Sequence, residues 1–234
     1  MNENDRPSSR ATFLEGAYWE KRSKDYVAWI YDLYGNFPLA QIMQRHFDSL
    51  STAKRILEIG CGGLGIGLLW MFPNAYLRIG LDVLDISEIP SGDVPLFREL
   101  VICARKGVTY LKGSGESIPY APGSFDLVIC NNVLDHVCHP DRVLLEVAKS
   151  LKPGGTFCLG VDCSSLWGYS VRQNMRRISK NKTYILHPHD FTFQRLSRRL
   201  ISHGFIPVDQ SRVSWKNNLL GPRGRKCWVL TMSA

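Results

Sequence analysis

One apolar run that ends in a cluster of glycines, Ile56-Leu57-Glu58-Ile59-Gly60-Cys61-Gly62-Gly63-Leu64-Gly65, limits what this chain can fold into more than any other feature. Its first half suits a buried strand. Glycines at a strand-to-helix turn permit left-handed dihedrals and let a ligand lie close to the backbone. The run therefore predicts the first strand of a βαβ unit with a nucleotide-type cofactor over its carboxyl end. Gly60, Gly62 and Gly65 also satisfy G-x-G-x-x-G, so at this point NAD remains an alternative cofactor. Asp82 stands 22 positions beyond Gly60, at the end of the next apolar run, where an acid meets ribose hydroxyls with either cofactor.

Downstream of this run, short apolar segments alternate with helical patterns. The expected strands are 55–59, 76–81, 108–111, 125–130 and 156–161, and the expected helices are 64–72, 95–106 and 141–151. Such alternation implies parallel strands joined by right-handed crossovers. Residues 166–188 show no clear period. A basic helix follows over 191–203, and the runs 205–208 and 227–232 close the sheet as a hairpin with a long connection over 215–226. Upstream, residues 11–50 are rich in aromatics at spacings of three and four, which predicts two or three helices broken at Gly35–Pro38. The organisation expected is a helical cap over 1–50, a cofactor-binding core over 51–163, a basic insertion and helix over 164–204, and final strands over 205–234.

Four segments of the core, in order, resemble the class I S-adenosylmethionine-dependent methyltransferases, and in particular their type 11-like small-molecule branch. Glu58 precedes the first glycine by two, as in the family's E/D-x-G-x-G. Gly113-Ser114-Gly115-Glu116-Ser117-Ile118-Pro119 is similar to G-D-A-E-x-L-P, Ser124-Phe125-Asp126-Leu127-Val128 to S-F-D-x-V, and Leu151-Lys152-Pro153-Gly154-Gly155 matches L-K-P-G-G. The resemblance implies a Rossmann-like α/β fold with a seven-stranded, mostly parallel sheet, helices on both faces and a helical N-terminal cap. It implies S-adenosylmethionine as cofactor and S-adenosylhomocysteine as product.

By the same resemblance Glu58 holds the methionine amino group, directly or through water. Gly60, Cys61 and Gly62 pass beneath the cofactor, Asp82 binds the ribose hydroxyls and Val83 packs on adenine. Ser114 replaces the family's usual aspartate, which leaves the polar contact to adenine to Gly115 or Glu116. Asn131 and Asn132, after the fourth strand, are expected to hydrogen-bond cofactor or substrate. Asp135 and His136 lie near the methyl group, where a histidine can take a proton from the acceptor. Tyr18 and Tyr26 belong to a cap that folds over the sulfonium. His187, His189 and Asp190 cluster, but they are read as the lead-in to a helix rather than as metal ligands.

Charge bears on the acceptor. The net charge is +8, but residues 171–234 carry 13 basic against 2 acidic residues, while 1–170 carry 16 against 19. That asymmetry points to an anionic partner, with Arg195, Arg198 and Arg199 the nearest candidates, a solvated basic face being the plain alternative. An oxygen or nitrogen of a small, anionic biosynthetic molecule is the expected acceptor. RNA is the less favoured partner, since residues 131–134 read Asn-Asn-Val-Leu where nucleic-acid enzymes carry N-P-P-Y. A non-catalytic protein that binds the cofactor is a third reading. Residues 1–10 lack the apolar core of a signal peptide, no apolar stretch approaches the ~20 residues of a membrane helix, and the seven cysteines include no C-x-x-C. A cytoplasmic protein with no transmembrane segment is expected.

Overall fold

The computed structural model describes residues 26–86, 95–178, 188–216 and 223–232. The strands Arg55–Ile59 (β1), Leu77–Asp82 (β2), Thr109–Lys112 (β3), Phe125–Asn131 (β4) and Leu151–Ser164 (β5) run parallel in the order β3-β2-β1-β4-β5. A two-residue strand, Phe191–Thr192 (β6), pairs with the end of β5 at Cys163 and Ser164. Phe205–Lys216 (β7) and Arg223–Met232 (β8) complete the sheet, with β8 inserted antiparallel between β5 and β7. The fold is the Rossmann-like, mostly parallel sheet expected for the family.

Alternate residues of one strand serve two cores, because a parallel sheet is covered on both faces. Val128 and Cys130 of β4 face the layer that contains the helices Pro140–Ser150 (α4) and Phe193–Ser202 (α6), which bury Val143, Leu144, Val147, Leu196 and Leu200. Leu127 and Ile129 face the opposite layer, built on the helix Tyr26–Arg45 (α1) and the single turn Phe47–Leu50 (α2). The helix Pro95–Arg105 (α3) buries Val101 against Leu64 and Ile66. At the other end of the sheet Arg45 and His46 both reach Asp209 of β7, at 3.0 and 2.8 Å, and tie α1 to the final hairpin.

Three local expectations are corrected. α1 is not broken at Gly35–Pro38 but continues to Arg45, since Leu39, Ile42 and Met43 are completely buried and outweigh the bond that Pro38 removes. The helix expected over 64–72 is an irregular loop with only a 3₁₀ turn at Leu69–Met71. Residues 166–178, which carry no clear period, form the helix Leu166–Ile178 (α5).

Candidate active site

The carboxyl ends of β1, β2 and β4 meet at the glycine turn. Gly60, Gly62 and Gly65 all have left-handed φ, at 71°, 73° and 64°. The Gly60 amide donates to Leu81 O (2.8 Å) and the Gly62 amide to Asp82 Oδ2 (2.8 Å), while Asp82 Oδ1 accepts from Leu84 N (3.0 Å). A side chain at Gly60 would place its first carbon 2.1 Å from Val133 Cγ2. Asp82 is buried, which raises its pKa against the pull of the Leu84 and Gly62 amides. The carboxylate accepts amides of the turn and of the residues that follow it and keeps further lone-pair capacity, so it fits a ribose diol as well as the turn. Val83 follows, half-buried. Cys61 is buried beneath the turn, and burial lifts its thiol well above the ordinary range, which suits packing and not nucleophilic chemistry.

Glu58 is engaged by the loop that follows the glycines. Both of its oxygens accept the Leu68 amide at 2.9 Å, and Oε2 also accepts Leu69 N at 3.3 Å. Gly67 leaves room for this, since a carbon there would lie 2.1 Å from Oε1. The carboxyl is 2% exposed and titrates at about 7, raised by burial first and by Asp82 in smaller part, against the two amide bonds. Its carboxylate is thus turned into the loop 60–69, which it holds in shape.

The loop after β3 is joined to the loop after β4 through Glu116. Its Oε1 accepts the amides of Cys138 (2.8 Å) and His139 (3.1 Å), while its Oε2 is buried and without a hydrogen-bond partner among the described residues. Ser114 Oγ accepts the Glu116 amide at 3.1 Å, and Gly115 abuts Ile59, where a side-chain carbon would lie 2.6 Å from Cγ2. An orphaned acceptor on this wall is an observation that fits an amino-bearing ring such as adenine.

At the end of β4, Asn131 Nδ2 donates to Asn36 Oδ1 of α1 at 2.7 Å, so the helix is fastened over the carboxyl edge of the sheet. Asn132 has the left-handed φ of 60° and donates its amide to Gly160 O at 2.7 Å. Asp135 is buried, with Oδ1 3.9 Å from His136 Nε2, and both ring nitrogens of His136 are buried as well. Tyr18 lies outside the described residues, and Tyr26 is the first residue of α1.

Beside this edge lies a cleft of about 470 Å³ lined by Tyr169, His189, Phe191, Arg195, Arg198 and Arg199, among others. The arginines therefore share one concavity, as their spacing on α6 suggests. Arg195 lies over the Tyr169 ring at 4.5 Å, and Arg199 pairs with Asp141 at 3.1 Å. The cleft wall is bound to the β4 loop: His189 N donates to Asp135 O (3.3 Å), and His189 Nε2 lies 3.1 Å from Cys138 O. Sequence reasoning missed Asn36, which is hidden in a stretch punctuated like a turn. It also missed Tyr110, whose hydroxyl donates to Gly65 O at 2.5 Å and props the turn from below.

A family model described as a methyltransferase domain matches residues 57–159. A curated relative, the ubiquinone biosynthesis O-methyltransferase of Dechloromonas aromatica, is 39% identical over 124 residues, which is 50% of each chain. The chain spans about half the length of the curated relatives it matches. Among solved structures, the 1,6-didemethyltoxoflavin-N1-methyltransferase of Burkholderia thailandensis, which holds its substrate and S-adenosylhomocysteine, is 16% identical with a TM-score of 0.63, covering 98% of this chain and 91% of that one. The YcgJ protein of Bacillus subtilis is 16% identical with a TM-score of 0.57, covering 77% and 92%.

Proposed function

Residues 57–159 are a class I S-adenosylmethionine-dependent methyltransferase domain, and from that premise we propose that the chain methylates an oxygen, or else a nitrogen, of a small anionic molecule bound beside Arg195, Arg198 and Arg199. The bound cofactor supplies a methyl carbon on a positively charged sulfur, open to in-line displacement. What the chain must add is alignment, exclusion of water and a destination for the acceptor's proton.

The observation that carries this reading is the Asp82–Gly62 hydrogen bond, because it joins the acid at the end of β2 to the left-handed turn at the end of β1. With the turn so held, Gly60 to Gly62 offer bare backbone to a nucleoside, Asp82 takes its ribose hydroxyls and Val83 lies against its base. Gly115 and Glu116 form the wall for the amino edge of adenine. α1 is fastened by Asn36 to Asn131 at the carboxyl end of β4, and we place a small acceptor before a polynucleotide. Acceptor choice belongs to α1 and to segment 164–204, with Asp135 and His136 beside the transferred methyl. Oxygen is placed before nitrogen because the curated relative is named an O-methyltransferase. No helix among the described residues is long and apolar enough to cross a membrane.

Calorimetric titration with S-adenosylmethionine, S-adenosylhomocysteine and NAD tests the reading, followed by transfer of labelled methyl to a panel of hydroxylated and amino acids and to tRNA. Micromolar binding of the first two, with transfer to a small acid, is expected. Binding of NAD alone overturns it. Transfer to tRNA with a steep salt dependence moves the acceptor to nucleic acid, and binding without transfer leaves a cofactor-binding protein.

A further inference from the structure

We propose that His189, and not His136, receives the proton that the acceptor loses, an inference that rests on the methyltransferase reading above. A carbonyl oxygen can only accept a hydrogen bond, so the 3.1 Å contact between His189 Nε2 and Cys138 O requires that Nε2 carry the hydrogen of the neutral ring. The lone pair is then on Nδ1. That atom makes no hydrogen bond among the described residues and is not one of the buried atoms left without a partner, so it keeps exposure on a side chain that lines the cleft. His136 is arranged the other way, with both ring nitrogens buried beside Asp135.

The ring of His189 is also held in place. Its amide donates to Asp135 O at 3.3 Å, and its face lies along Phe191 with centroids 6.3 Å apart. It therefore moves with the β4 loop, the element next to the cofactor cradle. The same cleft holds Arg195 and Arg198, and Arg198 makes no ion pair or hydrogen bond among the described residues. An acceptor whose acid group meets these arginines presents its hydroxyl or amino group along the His189 wall. As the acceptor oxygen or nitrogen bonds to the methyl carbon, the carbon–sulfur bond breaks with its electron pair left on sulfur. The acceptor's proton passes to Nδ1, giving an imidazolium that loses it to solvent after release.

Two readouts on the full chain test this. Diethyl pyrocarbonate at neutral pH, mapped by peptide mass spectrometry, is expected to modify His189 at least tenfold faster than His136, since it needs an accessible lone pair. With 3,4-dihydroxybenzoate as probe acceptor, His189→Gln is expected to lower kcat by about 100-fold, the lower end for loss of a general base. S-adenosylhomocysteine affinity is expected to be unchanged, and the deficit to shrink as pH rises and the phenol ionises unaided. Faster modification of His136, or a His189→Gln variant within threefold of the parent with the same pH profile, overturns the proposal. Failure of the parent to bind S-adenosylhomocysteine sinks the methyltransferase reading separately, because the order of modification is measured without cofactor.

Discussion

Glu58 receives the amide hydrogen of Leu68 on both carboxylate oxygens, each at 2.9 Å, from within the buried core of the cofactor loop. An acid in this position couples the loop's shape to pH. Its folded pKa of about 7 lies above the ordinary 4.5. Between those values the folded chain keeps a proton that the unfolded chain has released. The stability contributed by this group is therefore full below pH 4.5 and is lost as pH rises through about 7. The expected slope is at most about 1.4 kcal/mol per pH unit. Glu58→Gln, which keeps an oxygen for Leu68, is expected to flatten the slope in urea titrations between pH 4.5 and 7; an unchanged slope would assign it to another group.

Gly60 combines a left-handed φ of 71° with a neighbour 2.1 Å from any added carbon. Gly60→Ala is expected to destabilise by about 2–4 kcal/mol, the sum of backbone strain and a steric clash in a packed site. Adding Val133→Ala removes the clash and leaves the strain, so the double variant is expected to recover about half the loss. Denaturant midpoints check this, and a double variant no better than the single would place the cost in the backbone alone.

Asp82→Ala removes the acceptor for Gly62 and Leu84 together with the proposed ligand of the ribose. S-adenosylmethionine affinity is expected to fall at least tenfold, about 1.4 kcal/mol. Calorimetry decides, and an unchanged dissociation constant would remove Asp82 from the cofactor site.

Asn36→Ala deletes the 2.7 Å bond to Asn131 that fastens α1 over β4. The expected cost is about 1 kcal/mol, with faster amide exchange confined to α1 rather than spread over the sheet. Uniform acceleration would mean that the bond contributes to global stability and not to holding the cap.

How far these relations can be read from the chain depends on their range. The sheet was legible because parallel strands covered on both faces are written as short continuous apolar runs, Ile56–Ile59 and Leu127–Cys130 among them. Asp82 was legible because its place follows from the length of one βαβ unit. The loop 60–69 was misread as leading into a helix. The apolar content of 64–72 suggested one, while the competing bonds come from Glu58, a group ten positions upstream whose burial no local pattern reveals. α1 was misread for the opposite reason: Gly35 and Pro38 are strong local punctuation, and the buried contacts of Leu39, Ile42 and Met43 override it. The tie between His189 and Cys138 spans 51 positions and two loops, beyond the reach of any spacing rule.

The placement of β8 between β5 and β7 bears on how the chain comes off the ribosome. β7 is synthesised before β8 yet, among the described residues, joins the ladder of the sheet only through it, so it emerges before its one strand neighbour is made. Throughout that interval the flank of β5 from Thr156 to Ser164 is an open edge, and the layer that Trp228 fills lacks its largest side chain. Only when residues 223–232 clear the exit tunnel can the two vacant edges be closed in one step. Until then the nascent protein is a sticky, unfinished sheet, and a ribosome stalled shortly before that point would present quality control with a chain whose cofactor cradle is already translated but whose sheet has no far side.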